Sequence, residues 1–446
     1  MRKAWLFPFV LLLLVSLAGA LSTPSPPANG GGPVNSGDVA WMLTATALIL
    51  LIIPGLSLFY GGMVRFNNLI STMLQSFVAT AVISVLWVVV GFSLAFGDSV
   101  GGIVGHPGTY FMFHGVDGVT HAALAPTIPL VLFAIFHLKF AIITPALITG
   151  SLAARVRFSA YLTFMCLFSL LIYCPLAHMT WHPDGLLRQL GVIDFAGGSV
   201  VHVSAGCAAL AGAIVLGRRQ MSPDAAPPEP ANIPFVLLGT GMLWFGWFGF
   251  NAGSALAASP QAAMAFATTN TASASAALAW MLFDSLRGRK PTALGACIGA
   301  LVGLVAITPA AGYVTVGASL FIGTAAALVC NAVVHWRSRS VLDDTFNVFP
   351  CHGIGGAVGM VATGVFAREA GLVTGQVHTF LVNLMAIVVV PALTFGGSWL
   401  LYKLTDVVVT LRVDVEQEAI GLDLSQHGET TGDLSSLYRP TDAPIA

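Results

Sequence analysis

Residues 377–405 have the sequence VHTFLVNLMAIVVVPALTFGGSWLLYKLT, which is apolar over a length that can cross a lipid bilayer. A helix needs about 20 residues to span a hydrocarbon core of about 30 Å. Lipid offers the backbone no hydrogen-bond partners, so segments of this kind must be helices. The sequence therefore predicts an all-α membrane protein with eleven transmembrane helices. The ten earlier segments that are long enough, or nearly so, lie near 38–60, 69–97, 124–148, 156–179, 195–217, 233–256, 262–285, 292–308, 315–336 and 350–367.

The composition fits a membrane protein and argues against several other classes. Of the 446 residues, 56% are hydrophobic and 8% are charged, whereas about 25% are charged in an ordinary soluble domain. The net charge of −1 gives no basic surface for nucleic acid. The six cysteines lie inside apolar segments, so we expect neither disulfides nor a metal site. No nucleophile, metal or cofactor motif indicates an enzyme, and no cofactor is expected.

The first 20 residues have the pattern of a cleavable secretory signal peptide. A basic start and an apolar run are followed by Ala18-Gly19-Ala20, a small-x-small cleavage pattern. The alternative is an extra signal-anchor helix, which the short run and Pro8 disfavour. The mature chain is then expected to begin near Leu21, with an exposed lead-in over 21–37.

Positive charge is unequally divided between alternate loops, and cytoplasmic loops accumulate Lys and Arg. If the mature N-terminus is outside, only Arg188 and Arg368 of the eighteen Lys and Arg residues fall in outside loops. The pattern predicts an N-out, C-in protein of the inner membrane, with a cytoplasmic tail over 406–446. The residues that would then be cytoplasmic are Arg65, Arg155, Arg157, Arg218, Arg219, Arg287, Arg289, Lys290, Arg337, Arg339, Lys403, Arg412 and Arg439.

Two stretches of the chain share an Asp-to-His pattern. Residues 194–206 are DFAGGSVVHVSAG and residues 344–356 are DTFNVFPCHGIGG. In each, the His follows the Asp by eight residues, and two small residues follow the His by three and four. The stretches fall at the last helix of two five-helix groups, about 38–217 and 233–367. The eleven helices therefore divide into two inverted repeats and a final helix near 377–405.

His202 and His352, the histidines of these stretches, are the main candidates for a functional site. Ionisable side chains inside a span are costly and usually mark a pathway. A lone buried His is a core residue bonded to a carbonyl about as often as it is a functional residue. A symmetry-related pair, however, should meet near the midplane, where carrier sites lie. A bare Na⁺ or K⁺ would need a ring of oxygens that these segments lack. A small amine suits the site better, because burial favours its neutral form.

Aromatic side chains near the outside ends of two predicted helices could form an entrance for a cation. Ring faces attract ammonium groups by about 0.5–2 kcal/mol. Phe136 in the third predicted helix and Trp181 just past the fourth are placed for this role. The alternative for a single Trp at a helix end is an interfacial anchor.

Several stretches spread over residues 38–430 are highly specific motifs. They are PGLSLFYGG at 54–62, AHMTW at 177–181, DFAGGSVVH at 194–202, WFGFNAGS at 247–254, TPAAGY at 308–313, GLD at 421–423 and HGE at 427–429. Together they resemble the ammonium transporters of the Amt/Mep/Rh family, and the bacterial Amt branch more than the Rhesus branch. The resemblance implies a homotrimer with one pore per subunit, formed by 38–405, that carries NH4⁺, or NH3 with a proton.

The resemblance also implies roles for individual residues. Phe136, Trp181 and Ser254 match the external site that recruits ammonium. Phe136 and Phe250 match a stacked gate below it, and Trp247 matches a further aromatic of the pore.

Three other residues are matched to the centre of the pore and to its vestibule. His202 and His352 match twin histidines that share a hydrogen bond, guide ammonia and relay the proton. Asp194 matches an acid that organises the vestibule, with a structural role as a helix N-cap rather than as a ligand. The tail over 406–430 resembles one that receives a PII-type signal protein, which would be a partner at the cytoplasmic exit.

Three residues depart from the family pattern. His137 stands where Gln is common, and Asn347 stands where Asp is frequent, five residues before His352. Lys139 is a charge within a predicted span, about 300° around an ideal helix from Phe136, and it would repel a cation if it faced the pore. It is expected instead to face a subunit contact or a carboxylate or carbonyl partner.

The sequence leaves two other functions open. A neutral-solute channel of the aquaporin or urea-channel type would also be apolar, but the paired Asn-Pro-Ala signatures of aquaporins are missing and an aquaporin has six spans. An ammonium sensor built on the transporter fold would need a separate partner, because no signalling domain follows the last predicted helix.

Overall fold

The structure is a computed structural model that describes residues 2–21, 30–220 and 230–431. Its main elements are the helices α1 (Arg2–Leu21), α2 (Ser36–Met63), α3 (Phe66–Phe96), α4 (Leu130–Leu152), α5 (Phe158–Gln189, interrupted at 182–185), α6 (Gly198–Leu216), α7 (Ile233–Gly253), α8 (Pro260–Leu286), α9 (Ala293–Ile307), α10 (Val316–Arg337), α11 (Phe349–Phe366), α12 (Val377–Val408) and α13 (Val415–Ile420). A π-helical turn, Asp423–His427, follows.

The eleven segments predicted to be helical are helical over most of their length, as α2 to α12. Nine helices of the described residues, α2 to α7 and α10 to α12, are long and apolar enough to cross a membrane. Helix α9 has only 15 residues. Helix α8 has 27 residues but is less apolar, because it is rich in Ala, Ser and Thr. The helical membrane fold is confirmed, and the count of eleven spans stays a prediction.

The third predicted segment begins later than expected. Residues 124–148 were predicted to be helical, but α4 starts at Leu130. The preceding strand β4 (Ala125–Pro129) pairs antiparallel with β3 (Thr120–His121), just as β1 (Ser99–Val100) pairs with β2 (Val104–Gly105). The physical reason is Pro126 and Pro129, since a proline disfavours the helical conformation in the residue before it.

The predicted terminal segments are only partly described by the structure. Helix α1 covers most of the predicted signal peptide, and cleavage after residues 18–20 stays a prediction because a signal and an anchor are both helical here. Residues 22–29 of the lead-in lie outside the described residues. So does the tail from residue 432 onward, including Arg439.

Helices α4 and α6 lie in the interior of the bundle, and the other helices surround them. Helices α4 and α6 are almost wholly buried inside the chain, whereas α12 is mostly exposed on the outside. Helix α6 packs against α4, α12 and the start of α11. A helix that is apolar on all sides is buried when other helices can surround it. This arrangement places the two histidine-bearing helices, α6 and α11, against each other in the interior.

The chain after α12 folds back onto one end of the bundle, which we call the tail face. The Asp423 carboxylate accepts hydrogen bonds from the backbone N–H groups of Ile70 (3.0 Å) and Ser71 (2.7 Å) at the start of α3. The Arg412 guanidinium bonds the carboxylate of Glu418 (2.8 Å) and the carbonyl oxygen of Leu216 at the end of α6 (2.8 Å). The tail is therefore tied to the ends of two helices.

Candidate functional site

His202 and His352 meet in the middle of the bundle. Both rings are buried, and their Nδ1 atoms lie 3.3 Å apart. His202 lies in the π-helical turn Gly198–Val203 and His352 in the π-helical turn Phe349–Ile354. Turns of this type inside helices are frequent at functional sites. The two stretches matched by the Asp-to-His pattern are thus brought together by the fold.

The small residues that follow each histidine let the two helices approach. A Cβ atom at Gly206 would overlap the backbone of Gly353, and one at Gly356 would lie 2.8 Å from the carbonyl oxygen of Gly198. Real side chains essentially never tolerate such distances, so both positions need glycine. The spacing of four residues between each His and its Gly is a requirement of the crossing that joins the rings.

The aspartates of the same pattern cap the two histidine-bearing helices. The Asp194 carboxylate accepts hydrogen bonds from the backbone N–H groups of Gly197 (2.9 Å), Gly198 (2.6 Å) and Ser199 (2.7 Å) and from the Ser199 hydroxyl. The Asp344 carboxylate accepts them from Val348 (3.0 Å) and Phe349 (2.8 Å). These N–H groups have no partner within a helix, so each Asp satisfies donors that would otherwise be orphaned.

The segment before α11 is also held at the tail face by an ion pair. Arg219 donates from Nε and Nη2 to the two carboxylate oxygens of Asp343, at 2.9 Å each. Burial by itself would raise the pKa of Asp343, but the hydrogen bond and charge of Arg219, with the charge of Arg155, lower that pKa to about 2. The pair therefore stays charged over the physiological pH range and fixes the approach to His352.

The hydrogen bond between the histidines determines what the pair can offer a solute. If both rings are neutral, one Nδ1 donates its hydrogen and the other accepts it. The ring that donates has a lone pair on Nε2, and the ring that accepts has its hydrogen on Nε2. Both Nε2 atoms are enclosed and have no protein partner among the described residues. The pair thus presents one donor and one acceptor to a molecule between the helices.

A cavity of about 530 Å³ opens at the end of the bundle opposite the tail face, and we call it the vestibule. Asp38 at the start of α2 lines it, as do Trp181, Asp194 and Ser254. The other ring-bearing side chains of its wall are Phe96, Phe133, His137, Phe140, Phe195 and Tyr313.

The predicted stack of Phe136 on Phe250 is wrong, whereas the roles predicted for these residues stay predictions. The ring stacked on Phe250 is that of Phe140, with centroids 4.1 Å apart and an angle of 26°. Phe140 also lines the vestibule and meets Trp181 edge to face at 5.6 Å. Phe136 is 1% exposed, is packed against Gly253 and is not among the residues that line the vestibule. Both residues lie on α4 one turn apart, so spacing along the helix could not decide which ring reaches Phe250.

Below the stacked rings, the side chain of Trp247 lies beside the histidine pair. Its ring is nearly parallel to that of His202, with centroids 5.3 Å apart, and its Nε1–H donates to the Thr308 hydroxyl (3.0 Å). The Phe250 ring lies 6.1 Å from the His202 ring. A continuous series of rings therefore joins the vestibule to His202. The sequence does not predict the role of Thr308, which holds the Trp247 ring.

The vestibule is lined by Trp181 and Ser254, which were both predicted at the external site. Each donates its hydrogen bond to a backbone carbonyl oxygen. The Trp181 Nε1–H donates to the carbonyl of Asp194 (3.2 Å). The Ser254 hydroxyl donates to the carbonyl of Phe250 (2.9 Å). What remains for a ligand is a ring face and the lone pairs of an oxygen, which suit a cation.

Lys139 does not face the vestibule or the histidine pair. It lies half-buried in a groove of about 350 Å³ on the outer surface between α2 and α4, among apolar side chains that include Leu43, Leu50 and Ile135. It has no hydrogen-bond or ion-pair partner among the described residues. Asn347, which also departs from the family pattern, has a φ of +59°. Asn tolerates this conformation better than most residues.

The family model described as Ammonium Transporter Family matches residues 40–432. The chain belongs to the ammonium transporter family. It is 42% identical over 408 residues to an ammonium transporter of Aquifex aeolicus, with 90% of this chain and 94% of that one covered. It is also 42% identical over 403 residues to an ammonium transporter of Bacillus subtilis, with 88% and 98% covered. Because the members are transporters, this ammonium transporter family protein is not an enzyme.

Solved structures of the family have the same fold. Mep2 of Saccharomyces cerevisiae superposes with a TM-score of 0.80 at 31% identity, covering 93% of this chain and 94% of that one. A structure described as a sensor Amt protein superposes with a TM-score of 0.81 at 30% identity, covering 88% and 98%.

Proposed function

We propose that this member of the ammonium transporter family conducts ammonium from the vestibule, past the rings of Phe140 and Phe250, to His202 and His352. The observation that carries the proposal is the hydrogen-bonded histidine pair, whose two enclosed Nε2 atoms have no partner among the described residues. Enclosed polar atoms without partners are costly. A small solute that donates one hydrogen bond and accepts another would satisfy both.

The chemistry of the path suits ammonia with its proton. Burying an isolated cation costs on the order of 20 kcal/mol in the Born limit, so the buried path favours an ammonium ion that gives its proton to the histidine pair and continues as NH3. If that proton reaches the Nε2 lone pair of one histidine, the hydrogen on Nδ1 of that ring can move to the other ring, which then releases its own Nε2 hydrogen. One proton crosses the pair, and the two rings exchange their donor and acceptor roles. The NH3 that remains donates to one Nε2 and accepts from the other.

In the proposed topology the protein lies in the inner membrane, with the vestibule on the outside and the tail face in the cytoplasm. Four arginines predicted to be cytoplasmic, Arg155, Arg157, Arg219 and Arg412, lie together at the tail face. This clustering supports the N-out, C-in orientation and eleven spans, by the rule that cytoplasmic ends carry positive charge. The docked tail is the surface that a PII-type protein would meet. If an impermeant thiol reagent added to intact cells reacted with a Glu416→Cys variant but not with the parent, the topology would be contradicted.

The proposed homotrimer is supported by two polar residues on the outer surface. Lys139 and the exposed Asn270 of α8 have no partner among the described residues. The starts of α4 and α8 lie level, because Asn35 and Asp38 bond to Thr127 (2.9 Å) and Ala258 (2.9 Å) respectively. At about 1.5 Å per residue the Cα atoms of Lys139 and Asn270 lie about 14–15 Å into the bundle. A second copy that joins them would satisfy both. A single-chain mass for the mildly solubilised protein would contradict this assembly.

Ammonium currents from purified protein on a solid-supported membrane test the transport proposal. We expect the parent protein to give an ammonium-dependent current that an equal concentration of sodium does not give. Because Lys139 lies outside the path, the Lys139→Ser variant should give a current of the same size. A neutral-solute channel would give no current. A sensor, which the likeness to the sensor Amt protein keeps as the second candidate, would bind ammonium without current.

The corrected position of the gate leads to a matched comparison on α4. Replacing Phe140 by Leu removes a ring face from the path, so the ammonium concentration that gives half-maximal current should rise about fivefold, from the loss of about 1 kcal/mol of cation–π attraction. Replacing Phe136 by Leu should leave this concentration unchanged, because that ring is packed against Gly253. A larger shift for the Phe136 variant than for the Phe140 variant would show that Phe136 lines the path after all.

A further inference from the structure

His137 lines the vestibule but has no part in the path from Phe140 and Phe250 to the histidine pair. It lies on α4 between Phe136 and Phe140 and lines the cavity together with Trp181 and Ser254. Its ring is wedged among aromatic side chains, with centroids 4.2 Å from Phe133 and 5.7 Å from Trp181. The orientation of the ring is thus fixed by packing.

The hydrogen bond made by His137 determines its tautomer. Nδ1 lies 3.0 Å from the carbonyl oxygen of Phe133. A carbonyl only accepts, so Nδ1 carries the hydrogen, and in the neutral ring Nε2 has a lone pair. Nε2 has no partner among the described residues. Unlike the Nε2 atoms of His202 and His352, it is not sealed inside the protein.

Three polar side chains of the vestibule wall share one bonding pattern. His137, Trp181 and Ser254 each give their hydrogen to a backbone carbonyl, that of Phe133, Asp194 or Phe250. Each therefore offers the cavity only a lone pair or a ring face. A wall with this property favours a ligand that has several hydrogens to donate and no need to accept, and it disfavours solutes that must accept hydrogen bonds.

From this arrangement we infer that His137 is a direct ligand of the ammonium ion in the vestibule, where its Nε2 accepts one N–H while Ser254 accepts another and Trp181 and Phe140 supply ring faces. The inference rests on the proposed transport function and adds a nitrogen acceptor to its external site. NH4⁺ has four N–H groups, so two directional acceptors and the ring faces can act on one ion together.

The test compares two replacements of His137 that differ in whether they can accept a hydrogen bond. His137→Phe keeps an aromatic ring but has no acceptor, whereas His137→Gln keeps an amide oxygen. Hydrogen bonds to a charged group are among the stronger ones, so His137→Phe should raise the half-saturating ammonium concentration at least about tenfold. His137→Gln should keep it within about twofold of the parent. His137→Leu serves as a second acceptor-free variant if the Phe variant does not fold.

Two measurements separate this inference from the transport proposal. The half-saturating ammonium concentration is obtained from the currents. It is obtained independently from the rise in the unfolding temperature of solubilised protein as ammonium is added, with sodium chloride used to keep the ionic strength constant. A parent that is stabilised by ammonium but gives no current would contradict transport and would still allow the variants to be ranked. His137→Phe or His137→Leu binding ammonium as tightly as the parent would overturn the inference. So would a His137→Gln variant as weak as His137→Phe, since the ring and not the acceptor would then matter.

Discussion

Replacing His202 or His352 by Ala should lower the ammonium current by about a hundredfold, which is the lower end of what a positioned proton-transfer group contributes. Either change removes one of the two Nδ1 atoms that lie 3.3 Å apart. The remaining ring then has no partner for a shared proton and exposes one Nε2 in place of two. The measurement is the initial ammonium current of reconstituted protein, normalised to the amount of protein in the membrane.

Controls must separate loss of the relay from loss of the fold. His106→Ala alters an exposed loop histidine whose side chain has one described hydrogen bond, from the backbone N–H of Gly108, so its current should equal that of the parent. Both pore variants should elute from a sizing column like the parent and unfold in a cooperative transition. Each should lose some stability because the substitution leaves a cavity. Parent-sized currents from a folded double variant would rule out the histidine relay.

The sequence predicted the part of the site that a repeated pattern marks. The Asp-to-His spacing of eight and the Gly at four beyond each His have direct structural causes: Asp194 and Asp344 cap their helices, and Gly206 and Gly356 let the helices cross. The same local geometry, a capped helix start followed by a close crossing, is therefore specified once in each of the two stretches. The meeting of His202 with His352 could therefore be inferred from the chain alone.

What the sequence left undetermined depends on packing between distant segments. Phe136 and Phe140 lie on one side of α4, and only the position of α7 decides that Phe140 faces Phe250. The direction of Lys139 depends likewise on α2, which forms the other wall of its groove. The tail contacts join residues about 350 positions apart, and no local pattern could predict that Asp423 caps the start of α3.

Replacing Asp194 by Asn should destabilise the protein more than the same change at Asp344. An amide keeps one acceptor oxygen and turns the other into a donor group. At residue 194 the second oxygen accepts from both the N–H and the hydroxyl of Ser199, so the Asn variant leaves these buried donors without an acceptor. Each orphaned buried group costs about 1–3 kcal/mol, and we expect a loss of about 3 kcal/mol in the free energy of unfolding.

At Asp344 the second oxygen accepts a single described hydrogen bond, from the N–H of Phe349, so the corresponding loss should be about half as large. Ser199→Ala should cost about 1 kcal/mol, because it removes the hydroxyl together with its need for an acceptor. Urea unfolding of solubilised protein, followed by tryptophan fluorescence, gives the order of the three variants. If Asp344→Asn proved the most damaging, the cap of α11 and not that of α6 would be the stronger support of the histidine pair. We expect the larger loss at Asp194 because its carboxylate satisfies more buried donors than that of Asp344.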